Sequence, residues 1–203
     1  MYWLHNEYEK EFAAIGQDVC YPRNRLVDRD YVYFLKSGHC ALSYFSEKGE
    51  ESLYLYFKEN SLICMAPHIA KDLNARCSLY AGSFKKEFHQ ITTRSDCEMI
   101  KMRPSRFLAL LNEKPFIYEM VIATVIQNFS NLLHLSTRIG SKSVPVAVCE
   151  AIADFMVPHG KKFILPKTIT CKELGHLLSA HSMTVVKIVK ALESEGVISR
   201  EGR

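Results

Sequence analysis

Thr170-Cys171-Lys172-Glu173-Leu174-Gly175-His176-Leu177-Leu178-Ser179-Ala180-His181-Ser182-Met183-Thr184-Val185-Val186-Lys187-Ile188-Val189-Lys190-Ala191-Leu192-Glu193 decides how this chain is read. Thr170 with Glu173 is the pattern of a capping box, which predicts a helix start. Leu174, Leu177 and Leu178 then form an apolar stripe, and Gly175 leaves room for a close helix crossing. Ser179-Ala180-His181 is too short to reach across a core, so the next helix must cross steeply. That helix carries Val185, Ile188, Val189 and Leu192 at helical spacing. Two short helices so joined are the helix-turn-helix, whose second member lies in the DNA major groove.

Charge follows the same division. Of the 26 Lys and Arg and 22 Asp and Glu, eight basic and four acidic residues lie from Lys161 onward. Residues 1–160 are therefore neutral, and the net charge of +4 sits in the helix-turn-helix region, as a DNA-binding unit requires. At 203 residues the chain has room for two small domains. No apolar run approaches the roughly 18 residues that span a bilayer, and acidic residues close behind Met1 do not suit a secretion signal. Seven cysteines without CxxC spacing suit a reducing compartment, so the expectation is a cytoplasmic protein without a membrane partner.

Upstream, residues 18–103 read as strands. Tyr31–Leu35, His39–Phe45, Ser52–Phe57, Ser61–Met65, Glu87–Thr93 and Cys97–Met102 are short β-rich runs separated by turn signals, which predicts a barrel or jelly roll. Ala66 to Phe84 reads as a loop with a short helical piece. Ser105–Leu111 suits a short helix, and a long one follows from Phe116 to Ile139. Along it Ile117, Val121, Val125, Leu132, Leu135 and Ile139 keep near-heptad spacing, interrupted by Thr124, Asn128 and Asn131. A seam of that length predicts a parallel partner helix from a second subunit, with the polar positions fixing register. Packing on the chain's own barrel is the competing expectation. Gly140–Ser143 reads as a hinge and Val144–Met156 as a first C-terminal helix. The expected domains are 1–115, a β-barrel; 116–140, a dimerisation helix and hinge; and 141–203, the helix-turn-helix domain.

Barrel, long helix, hinge and helix-turn-helix, in that order, resemble the catabolite-activator/Fnr (Crp/Fnr) family of bacterial transcription regulators. The likeness rests on Tyr31–Leu42 with Glu47–Glu51, on Thr93-Arg94-Ser95-Asp96-Cys97-Glu98-Met99, and on Leu174–Thr184 with Leu192–Ile198. It implies an α+β fold with an N-terminal cyclic-nucleotide-binding-like barrel (jelly roll) and a C-terminal winged helix-turn-helix. The chain ends at Glu201-Gly202-Arg203, where relatives form the wing, so the wing is expected to be short or missing. The resemblance also implies a homodimer on a pseudo-palindromic operator in double-stranded DNA, a small-molecule effector in the barrel, and no enzymatic activity. RNA polymerase stays open as a further partner.

Within that family, cyclic-nucleotide members hold phosphate with a Gly-Glu and an Arg-Ser pair. Motif alignment places Cys64-Met65 and Glu87-Phe88 there, and Glu87 would repel the anion that Arg should attract. Arg76-Cys77-Ser78 or Lys85-Lys86 would be needed to rescue it, so cyclic AMP is not expected. The implied effector pocket is Cys64, Met65, Glu87, Phe88, His89, Asn131, Leu132 and Leu133, which suits a small apolar or aromatic compound. Asn60–Ile63 and the turn carrying His181 also resemble the halorespiration regulators of the family. No cofactor is expected. Only Cys20 lies where relatives cluster iron–sulfur ligands, and His68, His89, Cys64 and Cys77 would have to serve a haem. A haem or thiol redox sensor on the same fold remains the alternative, with a scaffold that does not bind DNA as the other class; Cys64 and Cys77 are the thiols considered.

The expected DNA-contacting residues are Thr170, His181, Ser182, Met183, Thr184 and Lys187. Ser182 is expected as the N-cap of the second helix. Met183 suits a thymine methyl, and Lys187 suits guanine or phosphate. Relatives carry an Arg-Glu pair where this chain has Ser182-Met183, so their half-site is not carried over. No paired carboxylates, nucleophile elbow, phosphate loop or metal-ligand motif stands at catalytic spacing.

Overall fold

The computed structural model describes residues 3–45, 51–77, 89–141, 143–160 and 162–199. The fold is α+β. Helix α1 (Trp3–Ile15) leads into β1 (Gly16–Tyr21), β2 (Val32–Ser37), β3 (Cys40–Phe45), β4 (Glu51–Phe57) and β5 (Ser61–Ile63). Helix α2 (Met65–Cys77) precedes β6 (His89–Thr93) and β7 (Cys97–Met102). Then come α3 (Pro104–Glu113), α4 (Ile117–Ser141), α5 (Val144–Phe155), the hairpin β8 (Val157–His159) and β9 (Lys162–Ile164), α6 (Cys171–Leu177) and α7 (Ser182–Ser194).

Two antiparallel sheets form the N-terminal body, ordered β1-β7-β2-β5 and β4-β3-β6. Tyr33, Leu35, Ile63 and Met99 of the first face Leu55, Phe57 and Ile91 of the second across a buried core. The run Val32–Leu35 is apolar at every position because the strand is buried on both faces. Val32 and Phe34 turn outward onto a second core built by Phe12 of α1, Phe107 and Leu111 of α3, and Ile117 of α4. Gly16 is required where α1 meets this sheet: a Cβ there would stand 2.4 Å from Ile100 Cγ2.

Strand β4 breaks its own alternation. The β3–β4 register shifts between Leu42 and Ser43, which leaves Tyr54 as the extra residue. Leu55 and Phe57 consequently face the sandwich core. Leu53 and Tyr56 face outward and join Ala41 in a third cluster with Val148 and Ile152 of α5, Leu174 and Leu177 of α6, and Val185 of α7. The C-terminal unit is thus packed on the outer face of the second sheet.

Several expectations change. Residues 65–77 form helix α2, so the short helical piece expected within the Ala66–Phe84 loop is a helix of 13 residues, and α1 and the β8–β9 hairpin had no sequence reading. Met65 opens α2 rather than closing a strand. The expected seam on α4 is divided between two faces. Ile117, Val121 and Leu135 are buried within the chain, as is Thr124, so none of them faces a partner. The outward apolar row is instead Ile122, Val125, Ile126, Phe129, Leu132 and Leu133, of which Phe129 is 61% exposed. The Ile139 side chain and residues 200–203, where the wing was expected to be short or missing, lie outside what is described.

Candidate nucleic-acid interface

Helix α6 starts at Thr170, whose Oγ1 accepts from Glu173 N at 3.2 Å. Only this half of the capping box forms. Thr170 N donates to Thr168 O at 3.2 Å, and the Glu173 carboxylate is engaged elsewhere. The helix closes when Ala180 N donates to Gly175 O at 2.9 Å, with Ser179 at φ 49° turning the chain back through the left-handed region. Gly175 makes the crossing possible: a Cβ would lie 2.8 Å from Ala180 O and 3.3 Å from Ser182 Cα. Leu174, Leu177, Leu178, Val185 and Val189 fill the angle between the helices, with Ile188 and Leu192 partly buried against them.

The N-cap of α7 is His181, not Ser182. His181 Nδ1 accepts from Met183 N at 3.3 Å, and Ser182 is the first helical residue. The cap fixes the imidazole with Nε2 turned from the helix end, where an aliphatic residue would leave the first-turn N–H groups without a side-chain partner. His181, Met183, Thr184, Lys187 and Lys190 are exposed on α7, and Ser182 is half-buried. Thr170, at the start of α6, is exposed as well. Five of the six residues expected to contact DNA therefore lie at the first turns of α7, and Thr170 lies at the start of α6, the end away from the turn.

The expected effector residues are not gathered in the same way. Cys64 is buried in the sandwich core at φ 63°, whereas Met65 is buried in the core under α1 and α3. Glu87 and Phe88 lie outside the described residues, as do the side chains of Arg76 and Cys77 and the segment carrying Ser78 and Lys85-Lys86. The His89 ring packs against Tyr44 and Tyr54 with centroids 5.6 and 6.2 Å apart. Leu132 and Leu133 stand on the exposed face of α4. Asn131 lines a cleft of about 80 Å³ between β4, α4 and α5, with Tyr54, Tyr56, Lys58, His134 and Phe155. That is below the roughly 300–1,000 Å³ of ordinary ligand pockets.

His68 Nε2 lies 3.1 Å from Arg29 O. Among the described residues no three His, Cys, Asp or Glu side chains come together as metal ligands. The expected pairing of Cys64 with Cys77 lies outside what is described, because the Cys77 side chain does. Among the described residues, Cys40 and Cys97 are buried thiols 3.9 Å apart. The hydrogen bond between them pushes Cys40 up and pulls Cys97 down to about 7.

Sequence reasoning missed the polar cluster where the C-terminal unit meets the sheet. Arg94, in the β6–β7 turn, places Nη1 3.3 Å from Glu173 Oε1 and donates through Nη2 to Ser43 Oγ at 3.0 Å and to Glu51 Oε1. Tyr56 OH donates to Glu173 Oε2 at 2.5 Å, and Ser43 OH to Glu51 at 2.6 Å. Burial alone would raise the Glu51 carboxyl, but the Ser43 hydrogen bond and the Arg94 charge outweigh it and hold Glu51 below the usual range. Burial and the Glu173 charge push the Tyr56 phenol up, so it stays a donor. Nearby, His39 Nε2 and Thr168 Oγ1 are 2.6 Å apart, and burial lowers the His39 imidazole. One signal pointed here: Glu173 shares the stripe of Leu174 and Leu177, where a capping carboxylate need not be buried.

By sequence, no family model and no curated protein matches the chain. Solved structures do match. A c-di-GMP responsive global regulator, CLP, of Xanthomonas campestris superposes with TM-score 0.73 over 97% of this chain and 96% of that one, at 14% identity. FixK2 from Bradyrhizobium japonicum gives TM-score 0.73 over 93% and 90%, at 11% identity. A CRP/FNR family transcriptional regulator of Thermus thermophilus gives 0.67 over 92% and 90%, at 14% identity. The chain has, over nearly its whole length, the fold of the Crp/Fnr transcription regulators.

Proposed function

We propose that the chain is a DNA-binding transcription regulator of the Crp/Fnr type, a homodimer that reads a pseudo-palindromic operator and responds to a small molecule other than cyclic AMP. The observation that carries this reading is α7. Its inner side is sealed into the C-terminal core by Val185 and Val189, while Met183, Thr184 and Lys187 are left open on its first turns. A helix so presented, in a region with four surplus positive charges, matches a major groove in shape and sign. Met183, 56% exposed, suits a thymine methyl, and Lys187 suits guanine or phosphate. Ser182 and His181, held by the cap, suit the DNA backbone beside them.

The exposed row on α4 supports the homodimer. Ile122, Ile126, Phe129 and Leu133 recur every three or four residues, so two parallel copies of the helix would cover each other and set the reading helices about one DNA turn apart. Asn131, Leu132, Leu133 and His89 would then serve in sensing the effector. RNA polymerase would be a partner of the DNA-bound form, and the protein would work in the cytoplasm.

The test is selection of duplexes from a random pool, followed by titration of the winner at several salt concentrations. Binding should fall steeply with salt. Lys187→Ala should weaken it and shift the salt slope by about one phosphate contact, or about 0.9 in log–log units. No enrichment of any sequence, with weak binding to all duplexes alike, would reject the reading. The Cys40–Cys97 pair favours a second reading, a thiol sensor on this fold. Peroxide treatment followed by mass mapping should then show a Cys40–Cys97 disulfide, and thiols that stay reduced would dismiss it.

A further inference from the structure

The charged cluster between sheet and C-terminal unit is the feature that the function above does not use. Arg94 and Glu173 are 8% and 7% exposed, and the side chains that hold them come from both sides of one joint. From the sheet come Ser43 of β3, Glu51 and Tyr56 of β4, and Arg94 itself. From the C-terminal unit comes Glu173 of α6, with His176 Nδ1 3.4 Å from Glu51 Oε2. Around them lies an apolar contact of Ala41, Leu53 and Tyr56 with Leu174, Leu177 and Val148.

Area alone would hold two surfaces together at many angles, because apolar contact is not directional. A guanidinium fork shared between carboxylates is directional: it satisfies both only within a narrow range of positions. A buried ion pair adds little net stability over an apolar pair of equal volume, whereas loss of one partner leaves the other charge buried and uncompensated. The arrangement at Arg94 is therefore suited to setting an angle rather than to adding adhesion.

That angle passes directly to the reading helix. Glu173 stands two residues before Gly175, whose missing side chain locks α6 against the start of α7. Any rotation of α6 on the sheet moves Met183, Thr184 and Lys187 with it. In the structure α7 keeps these residues open while α6 is docked, so the docked pose is compatible with DNA.

We propose that Arg94 is a positioning residue for DNA recognition, holding α6 through Glu173 so that α7 is presented at one fixed angle. The inference rests on the DNA-reading function proposed above and adds the residue of the sensor body that orients it. Fixing the angle beforehand removes an ordering cost from DNA binding, so its loss weakens specific binding more than general attraction to DNA.

The experiment uses the full chain, a selected duplex and a scrambled duplex, with Arg94→Met, Glu173→Gln and the double variant. Each single variant should weaken selected-duplex binding roughly tenfold or more, as loss of a charge-assisted hydrogen bond does, and leave the scrambled duplex within about twofold. The double variant should be no weaker than the worse single one, because both break the same link. Arg94→Lys, which keeps charge but loses the fork, should recover only part of the loss. Hydrogen exchange of β4 and α6 should rise in both single variants. Unchanged affinity, tighter binding, or additive losses would overturn the proposal. If Arg94→Met fails to fold, Arg94→Lys with Glu173→Gln carries the same cycle. If the natural chain selects no duplex at all while exchange still rises in β4 and α6, the DNA-reading function fails and the joint stands.

Discussion

Phe129 offers the sharpest test of how this chain associates. It lies midway along the exposed apolar row of α4 and is 61% exposed, so it contributes little to the fold of a single chain. Full burial of such a side chain is worth roughly 1.5–3 kcal/mol, and with about six-tenths left to bury, roughly 1–2 kcal/mol is available per chain. A two-fold symmetric interface counts the substitution twice, so Phe129→Ala should cost the dimer roughly 2–4 kcal/mol. At 1.4 kcal/mol per factor of ten, the dimer dissociation constant should rise roughly 30- to 700-fold. Sedimentation velocity over a concentration series measures this directly. Ile117→Ala is the matched control, because Ile117 is fully buried against the chain's own sandwich. It should lose roughly 2–5 kcal/mol of stability and leave association unchanged. A Phe129→Ala chain that dimerises within twofold of the parent, or a parent that stays monomeric at every reachable concentration, refutes the reasoning. So would a control that dissociates as readily as the test variant.

Other outcomes follow from the same geometry. Gly175→Ala drives a Cβ toward backbone at Ala180 and Ser182, so thermal unfolding should show a loss of roughly 1–3 kcal/mol, and duplex binding should fall with it; an unchanged melting temperature would mean the crossing is loose. Thr170→Ala removes the acceptor for Glu173 N and should cost about 1 kcal/mol by chemical denaturation. Acid should weaken the joint in two stages. Burial lowers His39 below its ordinary 6.5, so the folded form resists protonation there: stability is full above 6.5 and falls as pH drops beneath it. Glu51, held below its ordinary 4.5, contributes stability above that value that is lost as pH falls further, through its folded-state pKa. Melting temperatures from pH 8 to about 2 should show both limbs, and His39→Gln should remove the first; a His39→Gln profile identical to the parent's would exclude His39 as its source.

Much of this architecture was legible because it is local. The strand runs, the long helix and the helix-turn-helix each announce themselves by period, and Gly175 announces the crossing by its lack of a side chain. What the sequence hid depends on partners distant in the chain. Heptad spacing on α4 named Ile117, Val121 and Leu135 as a seam, yet a helix with apolar residues on two sides cannot say which side its own sandwich takes. The core under α1 and α3 takes Ile117 and Val121, the cluster shared with α5 and α6 takes Leu135, and Phe129 is left outward. At the second helix, both Ser182 and His181 have a side-chain acceptor, and only the position of the turn assigns the cap to His181. The expected effector residues scatter for a similar reason: Cys64 and Met65 are neighbours in sequence, but the change from strand to helix between them sends the two side chains into different cores.

Strand β4 shows how one irregularity couples these parts. An unbroken alternation would put Leu53 on the same face as Leu55 and Phe57, inside the sandwich. The extra residue at Tyr54 turns Leu53 outward, where it meets α5 and α6 beside Tyr56. Tyr56 then both packs against Phe155 at 5.0 Å and donates to Glu173, so a single strand faces the sandwich core, helix α5 and helix α6. Glu51 and Tyr56, near the two ends of that strand, are the groups that hold Arg94 and Glu173 in register. A displacement of β4 along its length therefore cannot be absorbed within the sandwich alone. It must either be resisted by the Arg94 cluster or be passed to α6, and with Gly175 locking α6 to α7, passing it to α6 means moving α7 and, on the function proposed above, its exposed Met183, Thr184 and Lys187.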